Sequence, residues 1–123
     1  MKILILDDVK EYLNSLSRAL GNEHEVVTAA SLEEARNKLD SSFQLAILDV
    51  RLSEQDIANR DGIQMLGYVR HEYPHMPVIM MSAYRDFDAA ADALNLGASH
   101  YLKKPINLGE LKELIATLGS GLK

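Results

Sequence analysis

Acids, a hydroxyl and two lysines stand where short apolar runs stop. Ile3 to Leu6 leads into Asp7 and Asp8, Leu45 to Leu48 into Asp49, Val78 to Met81 into Ser82, and Tyr101-Leu102 into Lys103, Lys104 and Pro105. Carboxylates held about 4 Å apart repel by roughly 4 kcal/mol at the effective dielectric of a protein surface. If these ends meet, a cation belongs among them. Oxygen-only ligands with several carboxylates suit Mg²⁺, which keeps part of its water shell and shares the rest with phosphate oxygens. Such a site stabilises charge on a transferring phosphoryl group, and Lys104 offers a second positive charge. An aspartate can itself accept the group as an acyl phosphate.

Each residue also has an ordinary reading. An aspartate after a strand often caps the next helix, Ser82 could serve only to turn the chain, and Lys104 could be a solvated turn lysine. The three acids together are what depart from the ordinary.

The apolar runs do not alternate with polar residues, as expected for strands of a parallel sheet buried on both faces. Val26-Val27 completes a set of five. Amphipathic helices are expected between them. Val9, Tyr12, Leu13, Leu16 and Leu20 share a helical face ending at Gly21, and Ser31 with Glu34 spells a capping box before Leu32, Ala35 and Leu39. Further helices fit Ile63 to Tyr73, Asp86 to Leu96 with Gly97 as stop, and a last one capped by Asn107 with Glu110 three residues on, striped through Leu118. Gly119-Ser120-Gly121 reads equally as a helix stop or the start of a linker.

The order is β-α five times, an α/β fold with a five-stranded parallel sheet and helices on both faces. In the strand order 2-1-3-4-5, strands one and three are neighbours, so Asp7, Asp8 and Asp49 fall at the switch point, beyond the strands' carboxyl ends.

At 123 residues the chain is one domain. Thirteen Lys+Arg against eighteen Asp+Glu give a net charge of −5, which argues against direct nucleic-acid binding. No cysteine is present, which excludes disulfides, thiol catalysis and Cys-ligated zinc. No apolar run approaches the ~20 residues of a membrane span, and the start lacks the apolar stretch of a signal peptide. A cytoplasmic setting is expected.

With these residues in this order, the whole chain resembles the receiver domain of bacterial two-component response regulators, whose fold is the flavodoxin-like (βα)5 arrangement. The resemblance rests on Leu4-Ile5-Leu6-Asp7-Asp8, Leu45-Ala46-Ile47-Leu48-Asp49, Met80-Met81-Ser82-Ala83 and Tyr101-Leu102-Lys103-Lys104-Pro105. It implies a receiver domain over residues 1–118, with 119–123 as a tail or linker. It implies that Asp49 takes a phosphoryl group from a histidine kinase or phosphotransfer protein. Asp8, Asp49 and the carbonyl of Arg51 would ligate Mg²⁺, with Asp7 acting mainly through water. Lys104, rather than Lys103, would bond the phosphoryl oxygen, next to a cis Lys104-Pro105 peptide. Ser82 and Tyr101 would be the switch residues, and Arg51 and Tyr84 would set the rate of phosphoryl loss. The fourth helix, fifth strand and fifth helix would carry the signal to an output domain or protein partner, or form a homodimer.

One departure stands out. Asp61-Gly62 lies twelve residues after Asp49, and Ser53 sits where the family usually has proline. The polar stretch from Ser53 to Arg60 is either a tolerated insertion or a contact loop beside the site. Functions competing with a phosphorylated switch are a receiver-like interaction module that works without phosphate, an aspartate-nucleophile phosphohydrolase and a flavin carrier. The full acidic set disfavours the first. The second lacks its usual second acid and cap, and a flavin carrier wants a Ser/Thr-rich loop where acids stand. Gly62 and Gly67 lack the Lys-Ser/Thr of a phosphate-binding loop, and Pro74 separates His71 from His75, so neither pair forms a site.

Overall fold

A computed structural model describes residues 1–53, 56, 58–83 and 87–121. The elements run β1 (Lys2–Leu6), α1 (Lys10–Leu20), β2 (Glu25–Ala29), α2 (Leu32–Lys38), β3 (Leu45–Asp49), α3 (Asp61–Glu72), β4 (Val78–Ser82), α4 (Phe87–Asn95), β5 (His100–Lys103) and α5 (Leu108–Gly121). All strand pairs are parallel, in the order β2-β1-β3-β4-β5.

Side chains alternate across a strand, so each strand feeds two cores. Ile3 and Ile5 of β1, Leu45 and Ile47 of β3, and Ile79 and Met81 of β4 pack with Leu13, Leu16 and Leu20 of α1 and Leu111 and Ile115 of α5. Leu4, Leu6, Ala46, Leu48, Val78 and Met80 pack on the other side with Ala35 of α2, Met65, Leu66 and Val69 of α3, and Ala89 and Ala93 of α4. Every residue of β3 and β4 is buried, which is why neither run alternates in polarity.

The local signals account for most helix boundaries. Ser31 Oγ accepts from the Glu34 amide at 3.1 Å, while Glu34 Oε1 accepts from Ala30, one residue earlier than a reciprocal capping box requires. Asn107 Oδ1 accepts from the Glu110 amide at 2.9 Å. Gly97 follows α4 with φ of 99°, a left-handed conformation that suits glycine.

Other helix ends are as follows. Helix α3 starts at Asp61 rather than Ile63 because Asn59 Oδ1 accepts from the Asp61 amide at 3.1 Å and from the Leu52 amide at 3.0 Å, closing the preceding loop. Helix α4 spans Phe87–Asn95, with Asp86 outside the described residues. Helix α5 runs through Gly121, so Gly119 lies inside its last turn rather than after it, beside Met1: a Cβ at Gly119 would stand 3.6 Å from Met1 Sδ.

Candidate functional site

The parallel register brings the strand ends level. Leu6 pairs with Leu48, Asp49 with Met81, and Ser82 with Lys103. Main-chain bonds hold the residues just beyond: the Asp7 amide to Ala29 O at 3.1 Å, Val50 to Met81 O at 2.9 Å, and Lys104 to Ser82 O at 2.8 Å.

The strand alternation, continued by one residue in β1 and β5, places Asp7 with Ile3 and Ile5, Asp49 with Leu45 and Ile47, and Lys104 with Leu102, all toward α1 and α5. The contacts agree. Lys104 Nζ donates to Asp7 Oδ2 at 2.6 Å, in a pair whose side chains are 4% and 0% exposed, and lies 3.4 Å from Asp49 Oδ2. Asp7 also accepts from the Val9 amide through Oδ1 at 2.9 Å, forming the turn into α1. The helix-capping reading of this acid is not realised: Val9 is the N-cap of α1, no side chain caps it, and Asp7 closes only the turn before it, on the oxygen that Lys104 does not use.

Asp8 is half-buried and completes the acidic group: one oxygen from each of Asp7, Asp8 and Asp49 lies within 4.8 Å of the others. Three carboxylates and one ammonium leave a formal charge of −2. Burial and the neighbouring charge of Asp7 push the Asp49 carboxyl up to about 7; Lys104 pulls it down and Asp8 adds a further upward push. Burial alone would lower Lys104, but the bond to Asp7 and the charges of Asp49 and Asp7 hold it above the ordinary lysine value. All-oxygen donors, a net negative charge and a carboxylate that takes up a proton near neutral pH fit a hard divalent cation.

Ser82 is buried at the end of β4, and its place in the alternation puts it with Val78 and Met80 on the opposite side of the sheet from Asp49. Tyr101 of β5 is half-buried on that same side. Arg51 is half-buried two residues beyond Asp49, Lys103 is exposed, and Tyr84 lies outside the described residues. The Lys104-Pro105 peptide is cis.

Two features were not read from the sequence for what they do here. The Gly62 amide bonds Val50 O at 3.0 Å, and a Cβ at Gly62 would fall 1.7 Å from the main-chain oxygen of Asp49. Only glycine lets α3 start against the acidic strand end. The second is Tyr12, assigned to the core stripe of α1. Its ring centroid lies 4.2 Å from Lys104 Nζ.

The loop before α3 is joined to α4 by an ion pair between Arg60 Nη1 and Asp92 Oδ2 at 2.6 Å, with side chains 40% and 52% exposed. Exposed pairs of this kind contribute about 0–1 kcal/mol.

The sequence model of the family described as "Response regulator receiver domain" matches residues 3–116. Among curated proteins, the chain is 36% identical over 118 residues to response regulator protein PilR and 38% over 117 residues to response regulator protein FleR, both of Pseudomonas aeruginosa. Each alignment covers 94% of this chain but 25% and 24% of the relative, so the chain spans about a quarter of their length. A CheY-like receiver domain protein from Methanospirillum hungatei superimposes with a TM-score of 0.86 at 31% identity, covering 97% of this chain and 94% of that one. The receiver domain of NtrX from Brucella abortus does so with a TM-score of 0.83 at 26% identity, covering 94% and 96%.

Proposed function

The chain belongs to the response regulator receiver domains of two-component systems, and on that premise we propose that Asp49 is its phosphoacceptor. The reading is carried by one observation: Asp7, Asp8, Asp49 and Lys104 converge at the switch point, with Asp49 buried and its carboxylate 3.4 Å from the Lys104 ammonium.

A carboxylate oxygen of Asp49 attacks the phosphorus of a phosphohistidine on a kinase or phosphotransfer protein. The P–N bond breaks as the O–P bond forms, and the imidazole leaves with its electron pair. Asp8, Asp49 and the carbonyl of Arg51 would hold Mg²⁺, with Asp7, already engaged by Val9 and Lys104, acting through water. Bound there, Mg²⁺ would neutralise charge on the phosphoryl oxygens.

Lys104 then meets a new anion on Asp49 that competes with Asp7 for its ammonium. Ser82, at the end of β4, moves toward the phosphoryl oxygen after transfer, and Tyr101, on the same side of the sheet as Ser82, swings inward behind it. That change alters the surface of α4, β5 and α5, which meets an output domain, a protein partner or a second copy. Phosphorylation biases the equilibrium only by what it binds differently in the two states. The bulk of Arg51 and Tyr84 and the positive charge of Arg51 slow the approach of water to the acyl phosphate.

Incubation with Mg²⁺ and acetyl phosphate, followed by intact mass, tests the reading. The expected result is a gain of one phosphoryl group that requires Mg²⁺ and is lost in Asp49→Asn. No adduct on the wild-type chain, or an undiminished adduct on Asp49→Asn, would overturn it.

A further inference from the structure

The ammonium of Lys104 has a neighbour that the acidic site does not account for. Tyr12 lies in the first turn of α1, its amide bonded to Val9 O at 3.1 Å, and the turn before it is pinned by Asp7 through the Val9 amide. The residue that accepts from Lys104 therefore also bonds the turn that leads into α1, in whose first turn Tyr12 stands. That ring's centroid is 4.2 Å from Nζ, against 2.6 Å to Asp7 Oδ2 and 3.4 Å to Asp49 Oδ2.

An ammonium within about 6 Å of an aromatic face is attracted by the ring quadrupole, and more strongly when water is excluded, as it is around this buried lysine. The attraction differs in kind from that of a carboxylate. A π-face draws the charge without adding another anion, so the N–H groups remain available to oxygen acceptors. Lysine otherwise carries its charge on a long stem with many rotamers. An aliphatic residue at position 12 would fill the space and exert no pull on the charge.

We infer that Tyr12 is a positioning residue for phosphoryl transfer, its ring holding the Lys104 ammonium beside Asp7 and Asp49. The inference rests on the reading of Asp49 as phosphoacceptor. In the assay reaction, an Asp49 oxygen forms the O–P bond as the O–P bond of acetyl phosphate breaks. Acetate leaves with the electron pair and no proton is required. Lys104 acts on the charge of the transferring group, and Tyr12 acts through Lys104.

The wild-type chain, Tyr12→Phe and Tyr12→Leu separate this role from simple packing. In NMR spectra without donor or Mg²⁺, the Lys104 side-chain protons are expected upfield from the ring current in wild type and Tyr12→Phe, but at ordinary lysine positions in Tyr12→Leu. With Mg²⁺ and acetyl phosphate, Tyr12→Phe is expected to form adduct within about twofold of the wild-type rate. Tyr12→Leu is expected to be about fivefold slower, equivalent to about 1 kcal/mol. Wild-type Lys104 protons without an upfield displacement, a Tyr12→Leu rate equal to wild type, or a Tyr12→Phe rate as slow as Tyr12→Leu would each overturn the role of the ring. Absence of adduct on the wild-type chain would instead sink the phosphoacceptor reading, and the Lys104 spectrum, taken without donor, would still judge the contact.

Discussion

Lys104→Met is expected to lower stability by about 3–5 kcal/mol in Mg²⁺-free buffer, the usual cost of breaking a buried ion pair from one side. Asp7 is fully buried and accepts from Lys104 at 2.6 Å, and Asp49 lies 3.4 Å from the same ammonium. Methionine keeps the length of the stem and its contacts, so the loss reports charge rather than a cavity. What remains is three carboxylates with no cation among them. Asp49, already held near 7, would then rise further and take up a proton, which limits the damage. Denaturant unfolding at neutral pH measures the difference, and millimolar Mg²⁺ should restore part of it, because a ligand of the folded state alone stabilises that state. A loss below about 1 kcal/mol would mean that Lys104 does not neutralise this cluster.

Asp49→Asn should move stability the other way. The folded chain holds the Asp49 proton up to about 7, against 3.8 for an ordinary aspartate, so between these values it binds more protons than the unfolded chain. Stability from this group is therefore complete below about 3.8 and is lost as pH rises through 7. Asparagine never ionises and removes the penalty. At pH 8 without Mg²⁺, Asp49→Asn is expected to be more stable than wild type by on the order of 2–4 kcal/mol, shrinking to well under half of that near pH 5. The same proton competes with a cation, so Mg²⁺ affinity of the wild-type chain should fall below pH 7 by about tenfold per unit. Unfolding curves and Mg²⁺ titrations at several pH values measure both. An Asp49→Asn variant less stable than wild type at pH 8 would contradict the burial and charge repulsion assigned to Asp49.

Most of the fold was legible because parallel strands buried on both faces write themselves as unbroken apolar runs. Leu45 to Leu48 and Val78 to Met81 read as strands for that reason, and the polar residue after each run marks the strand end where the site forms. Asp7, Asp49 and Lys104 meet because each continues the alternation of its strand toward α1. Lys104, which the resemblance names over Lys103, is the lysine whose ammonium reaches Asp7 and Asp49, while Lys103 lies one step out of phase, at the exposed end of β5.

Less legible were features fixed by contacts between distant segments. Helical spacing put Tyr12 in the core stripe of α1, and nothing local says that a lysine more than ninety residues later stands over its ring. Gly119 weakens a helix by intrinsic propensity, yet α5 continues through it, with Met1 of the distant N-terminus lying beside it. The start of α3 depends on Asn59 reaching both Leu52 and Asp61, and on the close approach of Gly62 to Asp49. Sequence spacing registers that approach only as an Asp-Gly pair.

A crystal structure with Mg²⁺ and beryllofluoride tests the central claim most directly, since beryllofluoride imitates a phosphoryl group on a carboxylate without being hydrolysed. The expected electron density joins beryllium to an Asp49 oxygen, places Mg²⁺ against the carboxylates of Asp8 and Asp49, and shows the Lys104 ammonium turned to a fluoride. Density for either group elsewhere on the chain, with Lys104 still bonded only to Asp7, would contradict the account.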